Sequence, residues 1–256
     1  MVATLGDYHV HALGHGEGEF TLGRLEEFAL QAHKAGLAEL GLAEHDELLH
    51  RFDGEVWASA CRGNRPISLR LGLEVSFRPG RLREIRALAT RYPFDYLIGS
   101  VHDLDGWPFD HPDYREGYQA WEIDELYREY FRVVAQAAQS GLFDVIGHLD
   151  LVKVFGYRSR RPVVELAAAA LQAIADAGLA VEINTAGLFK PAAEIYPAEE
   201  LLRACLARGI PITFGSDAHR AAEVGRELWR AAALARRVGY RSYVRFRRRR
   251  AELVPL

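Results

Sequence analysis

The sequence predicts an α/β protein whose parallel β-sheet closes into a barrel. Three observations lead there. Seven short apolar runs alternate with stretches of helical periodicity across 256 residues, the pattern of parallel strands covered by helices. The connections are mostly short, and the count and chain length fit a closed barrel better than an open sheet. Finally, the His, Asp and Glu residues embedded in the apolar runs fall where those runs stop, the edge on which such barrels carry their active sites.

The first strand ends in Tyr8-His9-Val10-His11. Alternate strand residues face one side, so Asp7, His9 and His11 point together. A Gly-rich loop with His15 and Glu17 follows. Thr21 N-caps a helix over 21–36 with Leu25, Phe28, Ala29 and Ala32 at helical spacing, and Gly36 ends it; His33 falls on its surface. Leu40 to Asp46 is the second strand, carrying Glu44 and His45, and the polar stretch around Trp57, Cys61 and Arg65 has no assigned structure.

Leu69 to Phe77 is the third strand. Glu74 lies inside it, and a buried carboxylate requires a cation or a hydrogen-bond network. A short helix over 81–91 leads to a fourth strand, Phe94 to His102, and to a loop of aromatic and proline residues, Gly106 to Pro112, suited to lining a pocket. After a helix over 121–140, Val145 to Asp150 forms the fifth strand with His148 and Asp150. A basic loop with Lys153, Arg158, Arg160 and Arg161 precedes a helix over 163–177 ended by Gly178. Ala180 to Thr185 is the sixth strand, and Lys190 lies in its exit loop. A helix over 198–208 precedes the seventh strand, which closes on Gly215-Ser216-Asp217-Ala218-His219. A last helix over 221–237 and a strand over 243–246 complete the chain, with Arg247 to Arg250 as an exposed edge or tail.

Composition narrows the function. A net charge of −3 does not suggest a general nucleic-acid or membrane binder. No apolar run approaches a membrane span, and no signal-peptide pattern opens the chain. The two cysteines, Cys61 and Cys205, are expected to be buried small hydrophobes in a reducing compartment. A cytoplasmic protein of one domain, residues 1–256, is expected.

Six of the ten histidines sit at predicted strand ends, and His15 lies just beyond the first. Seven imidazoles and two carboxylates on one rim would repel one another without metal. His9, His11, His15, His45, Glu74, His102, His148, Asp217 and His219 are too many donors for one four-coordinate ion. They suit two or three ions sharing a bridging carboxylate. Mixed imidazole and carboxylate donors favour Zn, Fe or Mn. Lys153, Arg158, Arg160 and Lys190 follow strands five and six on the same rim. Cations beside a multinuclear site suggest an anionic substrate, with phosphate the commonest.

The runs His9-Val10-His11, Glu44-His45, Glu74, Gly99-Ser100-Val101-His102, Gly147-His148-Leu149-Asp150 and Gly215-Ser216-Asp217-Ala218-His219 together resemble the polymerase-and-histidinol-phosphatase (PHP) superfamily. Residues 147–156, 184–197 and 215–225 are similar to its histidinol-phosphate phosphatase branch. The resemblance implies a distorted, TIM-like (β/α)7 barrel with three divalent transition-metal ions at the C-terminal ends of the strands. It implies His9, His11, Glu74 and Asp217 on one ion. Glu74 would bridge to a second, held also by His102 and His148, and His15, His45 and His219 would hold the third. Glu44 replaces the Asp of many relatives and is expected to act behind the ligands. The implied reaction is hydrolysis of L-histidinol phosphate by a metal-bridging hydroxide, with Asp217 orienting the nucleophile. Lys153, Arg158 or Arg160, and Lys190 would meet the phosphoryl group, and Glu17 and the Trp107-to-His111 loop, with His111, the ammonium and imidazole. The alternatives are a phosphoesterase of the same superfamily acting on nucleotides or phosphotyrosine, and a polymerase-associated accessory domain.

Overall fold

The computed structural model describes residues 5–63 and 66–256, so Arg65 lies outside the described residues. In chain order the elements are β1 (Gly6–Val10), α1 (Leu22–Lys34), β2 (Glu39–His45), α2 (Gly54–Arg62), β3 (Ser68–Ser76), α3 (Leu82–Ala89), β4 (Tyr96–Ser100), α4 (Ile123–Gln139), β5 (Val145–Ile146), α5 (Val163–Leu166), α6 (Ala168–Ala177), β6 (Ala180–Asn184), α7 (Glu199–Ala207), β7 (Ile212–Gly215), α8 (Leu228–Val238), β8 (Ser242–Arg247) and β9 (Arg250–Pro255).

Strands β1 to β7 pair in parallel in sequence order. Ring closure between β7 and β1 rests on two backbone bonds, Asp217 N to His9 O at 2.8 Å and His11 N to Ala218 O at 2.8 Å. Both lie at the C-terminal rim, so the barrel is a distorted (β/α)7 barrel whose seam is sealed beside the histidines. Asp7 strengthens that seam. Its carboxylate is buried and accepts from Ser216 N (2.9 Å) and Gly225 N (2.9 Å). Asp7 therefore serves the closure of the ring, although strand alternation groups it with His9 and His11. Burial pushes its pKa up to about 6, against the pull of those hydrogen bonds.

The opposite end of the barrel is plugged by the β8–β9 hairpin. Phe246 packs against Tyr8 and Tyr96 with ring centroids 6.1 and 5.6 Å away, and Tyr243 meets Phe214 at 5.3 Å. The run Arg247 to Arg250 is the turn of this hairpin and not a tail. Arg248 and Arg249 take positive φ, Arg248 N donates to Asp95 (2.8 Å), and Arg249 pairs with Asp144. Asp95 and Asp144 precede β4 and β5, so two arginines of the run are committed to the bottom of the barrel. The second hairpin strand, β9, was not assigned from the sequence; it is exposed along its length except at the half-buried Val254.

Elsewhere the structure adds to the sequence reading or departs from it. The polar stretch after β2 folds into a 3-10 turn, Asp46–Arg51, and α2, capped by Asp53. Strand β5 has two residues; Gly147 N still bonds Gly99 O (3.1 Å), and the chain then bends at His148, whose carbonyl accepts from Leu151 N (2.9 Å). The helix over 163–177 breaks at Ala167. The last helix starts at Leu228, after a 3-10 turn over Ala221–Glu223 and the left-handed residues Gly225 and Glu227. Cys205 is buried as expected, but Cys61 lies exposed on α2. Among the described residues no helix is long and apolar enough to cross a membrane.

Candidate metal centre

Glu74 is the centre of the rim. It projects from β3 into the barrel at 1% exposure. Its Oε1 lies 3.3 Å from His9 Nε2, 3.4 Å from His102 Nε2 and 3.1 Å from His148 Nε2. Its Oε2 lies 3.6 Å from His11 Nε2 and 2.9 Å from His45 Nδ1. A carboxylate with separate sets of imidazoles on its two oxygens has the form of a bridging ligand.

Asp217 faces Glu74 across the site. Its backbone takes the left-handed conformation (φ 56°), one that Asp tolerates better than most residues. That turn brings Oδ1 to 3.4 Å from His11 Nε2 and 3.9 Å from His9 Nε2, while Asn184 Nδ2 donates to Oδ2 at 3.4 Å. His219 Nδ1 donates to the Asp217 carbonyl (3.0 Å), leaving its Nε2 3.2 Å from His45 Nε2.

Potential ligand atoms gather into four overlapping groups: His9, His11 and Glu74; Glu74, His102 and His148; His11, His45 and His219; and His9, His148 and Asp217. Eight of the nine donors expected from the sequence belong to them. His15 stands apart on the rim, with its ring stacked on His219 at 4.0 Å.

The electrostatics of the cluster are those of a cation site. Burial opposes a charged His9, yet Glu182, Glu74 and Asp217 raise its pKa well above the usual imidazole range. Burial likewise opposes charge on His102, and Glu74 brings it up to about 9. Burial, with His45 beside it, drives His11 well below the ordinary value. Burial works to raise Glu74 and Asp217, but the surrounding histidines hold both far below the carboxylate range. Three buried atoms that face the cluster make no hydrogen bond of good geometry: His9 Nε2, His11 Nε2 and Glu74 Oε2, the last despite His45 Nδ1 at 2.9 Å. Buried polar atoms are normally paired. Unpaired ring nitrogens and a carboxylate oxygen converging on one volume fit divalent metal ions of the kind imidazole and carboxylate hold.

A second ring of residues aims the first. Glu182 on β6 accepts from His9 Nδ1 (2.7 Å) and from His148 N (2.8 Å). Ser76 Oγ hydrogen-bonds His102 Nδ1 at 2.9 Å, which turns Nε2 toward Glu74. Glu44 accepts from Ala12 N (2.7 Å) and Leu13 N (3.2 Å), pinning the turn after β1, and burial pushes its pKa up to about 7 despite those bonds. Glu182 escaped the sequence reading. Its signal was the one that singled out Glu74, a charge embedded in an apolar strand, but β6 does not end on a histidine.

A cleft of about 600 Å³ opens over Asp217 and His219, lined also by His15, Glu17, Lys190 and Arg226. Glu17 and Lys190 are thus brought beside the cluster. Glu17 is exposed, and backbone N–H groups, its own and that of His15, lower its pKa. The basic loop is placed differently. Lys153 is buried and already matched by Asp150 (2.7 Å) and Glu194 (2.9 Å), and its Nζ lies over the Tyr196 ring, which in turn is 6.4 Å from His148. Arg158 pairs with Glu194 at 3.1 Å. Both line a neighbouring cleft with Arg160, whose side chain is 81% exposed. His111 is exposed; its Nδ1 accepts from Asp113 N at 3.3 Å, and it does not line the cleft over Asp217.

Barrel and cluster together define a class: α/β barrels that hold divalent metal ions at the C-terminal rim through imidazole and carboxylate donors. Residues 7–186 match the PHP domain family, and residues 199–228 match the PHP-associated family. The chain belongs to the PHP domain family. It is 40% identical over 264 residues to the probable histidinol-phosphatase of Deinococcus radiodurans, covering 97% of this chain and 98% of that protein. It is 28% identical to the histidinol-phosphatase of Bacillus subtilis, covering 86% and 95%. The crystal structure of histidinol phosphate phosphatase from Lactococcus lactis subsp. lactis, complexed with zinc, L-histidinol and phosphate, has the same fold. It superposes with a TM-score of 0.76 over 97% of this chain and 99% of that one, at 23% identity.

Proposed function

We propose that this protein is a metal-dependent phosphomonoesterase that hydrolyses L-histidinol phosphate to L-histidinol and phosphate. It would act as one barrel domain in histidine biosynthesis in the cytoplasm. The observation that carries the reaction is Glu74, with imidazoles from β1, β2, β4 and the end of β5 gathered on its two oxygens. The substrate rests on the likeness, across nearly the whole chain, to the histidinol-phosphatase of D. radiodurans.

In this reading three divalent ions, Zn, Fe or Mn, would be held by His9, His11, Glu74 and Asp217; by Glu74, His102 and His148; and by His15, His45 and His219. Bound ions supply Lewis acidity and lower the pKa of water to about 7. Glu182 and Ser76 fix the rings of His9 and His102 so that Nε2 is presented. Asp217, braced by Asn184, orients the attacking water. Lys190 meets the phosphoryl oxygens as their charge spreads in the transition state. Glu17 meets the substrate ammonium at the mouth of the cleft. Lys153 and Arg158 are neutralised by Asp150 and Glu194, and in this reading they brace the wall of the site at Tyr196 instead of meeting the phosphoryl group.

The test is phosphate release by the metal-loaded protein from L-histidinol phosphate, nucleoside monophosphates and phosphotyrosine, with metal content measured on the same sample. Turnover should be fastest on L-histidinol phosphate and vanish on chelation. Preference for a nucleotide or phosphotyrosine would refute the substrate, and undiminished turnover in the metal-stripped protein would refute the mechanism.

A further inference from the structure

Most cations around the rim are already committed. Lys153 and Arg158 are tied to carboxylates, and Arg24 donates to the Ala12 carbonyl. Arg220 is 82% exposed. Arg226 differs on three counts. Its guanidinium lies 3.5 Å from the centroid of the Phe189 ring. Its Nε is buried without a hydrogen-bond partner, and its nearest carboxylate, Glu223, stands at 3.8 Å. Its backbone is fixed from both sides: Thr185 Oγ1 donates to the Arg226 carbonyl (2.7 Å), and Gly225 N donates to Asp7 (2.9 Å). Gly225 has φ +73°, the left-handed turn that directs the following residue into the cleft.

A guanidinium held 3.5 Å over the centre of an aromatic ring leaves its N–H edge available. That edge carries N–H donors in a fork matching two oxygens of a phosphate. Phe189 and Arg226 share the cleft with Asp217 and His219. A cation there repels the ammonium of an amino-alcohol phosphate and attracts its dianionic end. Building on the phosphomonoesterase reading, we propose that Arg226, held against Phe189, is the arginine that binds the phosphoryl oxygens of the substrate.

The test uses inorganic phosphate as probe, titrated calorimetrically into metal-loaded and metal-free protein, together with steady-state kinetics on L-histidinol phosphate and p-nitrophenyl phosphate. Arg226→Met should weaken phosphate binding by roughly 10- to 100-fold, the range of a lost charge-assisted contact. It should raise KM for both esters by similar factors, with metal content unchanged. Arg226→Lys should recover part of the loss, and Phe189→Leu should give a smaller loss. Unchanged phosphate binding would overturn the proposal. So would a defect confined to L-histidinol phosphate, which would assign Arg226 to the imidazole end. If Arg226→Met does not fold, Arg226→Lys decides: a several-fold weaker phosphate affinity supports the fork, and an unchanged one overturns it. A wild-type protein inert toward L-histidinol phosphate would sink the substrate assignment while leaving the phosphate titration to decide Arg226.

Discussion

Glu182 Oε1 accepts a 2.7 Å hydrogen bond from His9 Nδ1, and this contact decides which nitrogen of His9 faces the cluster. With Nδ1 occupied, Nε2 is left 3.3 Å from Glu74. Such carboxylate–histidine pairs typically change metal affinity 10- to 100-fold when broken. Glu182→Gln is therefore expected to lower metal affinity about tenfold and Glu182→Ala about 100-fold. Competition against a chelator measures both. Wild-type affinity in Glu182→Ala would show that His9 is oriented by other means.

Gly215 makes room for this pair. A Cβ there would lie 1.9 Å from Glu182 Oε1 and 2.6 Å from His9 Cβ. Gly215→Ala should thus destabilise the fold by about 1–3 kcal/mol, as overpacking does, and lower metal occupancy as well. Denaturant unfolding and metal analysis report the two effects. A stable variant with full occupancy would contradict the packing described here.

Metal binding should release protons. In the metal-free protein burial opposes the His102 imidazolium, but Glu74 raises its pKa to about 9, and Glu182, Glu74 and Asp217 likewise hold His9 well above the usual imidazole range against its burial. Because the folded-state value of His102 lies above the unfolded one, the stability it contributes is fully present below about pH 6.5 and is lost as pH rises through about 9. A ligand must shed its proton to bind, so affinity should climb with pH between 6.5 and 9 by about one decade per unit for each proton displaced. Calorimetry in buffers of different ionisation enthalpy counts the protons. A pH-independent affinity over that range would show that the rim is already deprotonated.

Burial pushes the Cys205 thiol up to about 12. It should resist iodoacetamide at pH 8 in the native protein and react on unfolding, which mass spectrometry of the labelled peptides would reveal. Native-state labelling of Cys205 would mean that α7 opens readily.

The order of elements and most of the donor set were legible in the sequence by itself. Periodicity located the strands and helices. Burying a charge without a partner is costly, and this made Glu74 conspicuous inside an apolar run. Histidines recurring at strand ends named the rim before any distance was known. Where local pattern was weak, the bounds slipped: β5 is shorter than its apolar run, β9 was not assigned, and the helix after β7 yields to a left-handed turn.

Only the tertiary structure decided which atoms face the metals and which charges are already used. Whether Lys153 meets substrate or Asp150 depends on neighbours 41 residues away, such as Glu194, and no local pattern records them. The same holds for Glu182, whose partner His9 lies 173 residues distant, and for the arginine run that ties the hairpin to Asp95 and Asp144. Periodicity encodes which face of an element is buried. Ring closure encodes which buried faces meet, and the orientation of each imidazole follows from that meeting.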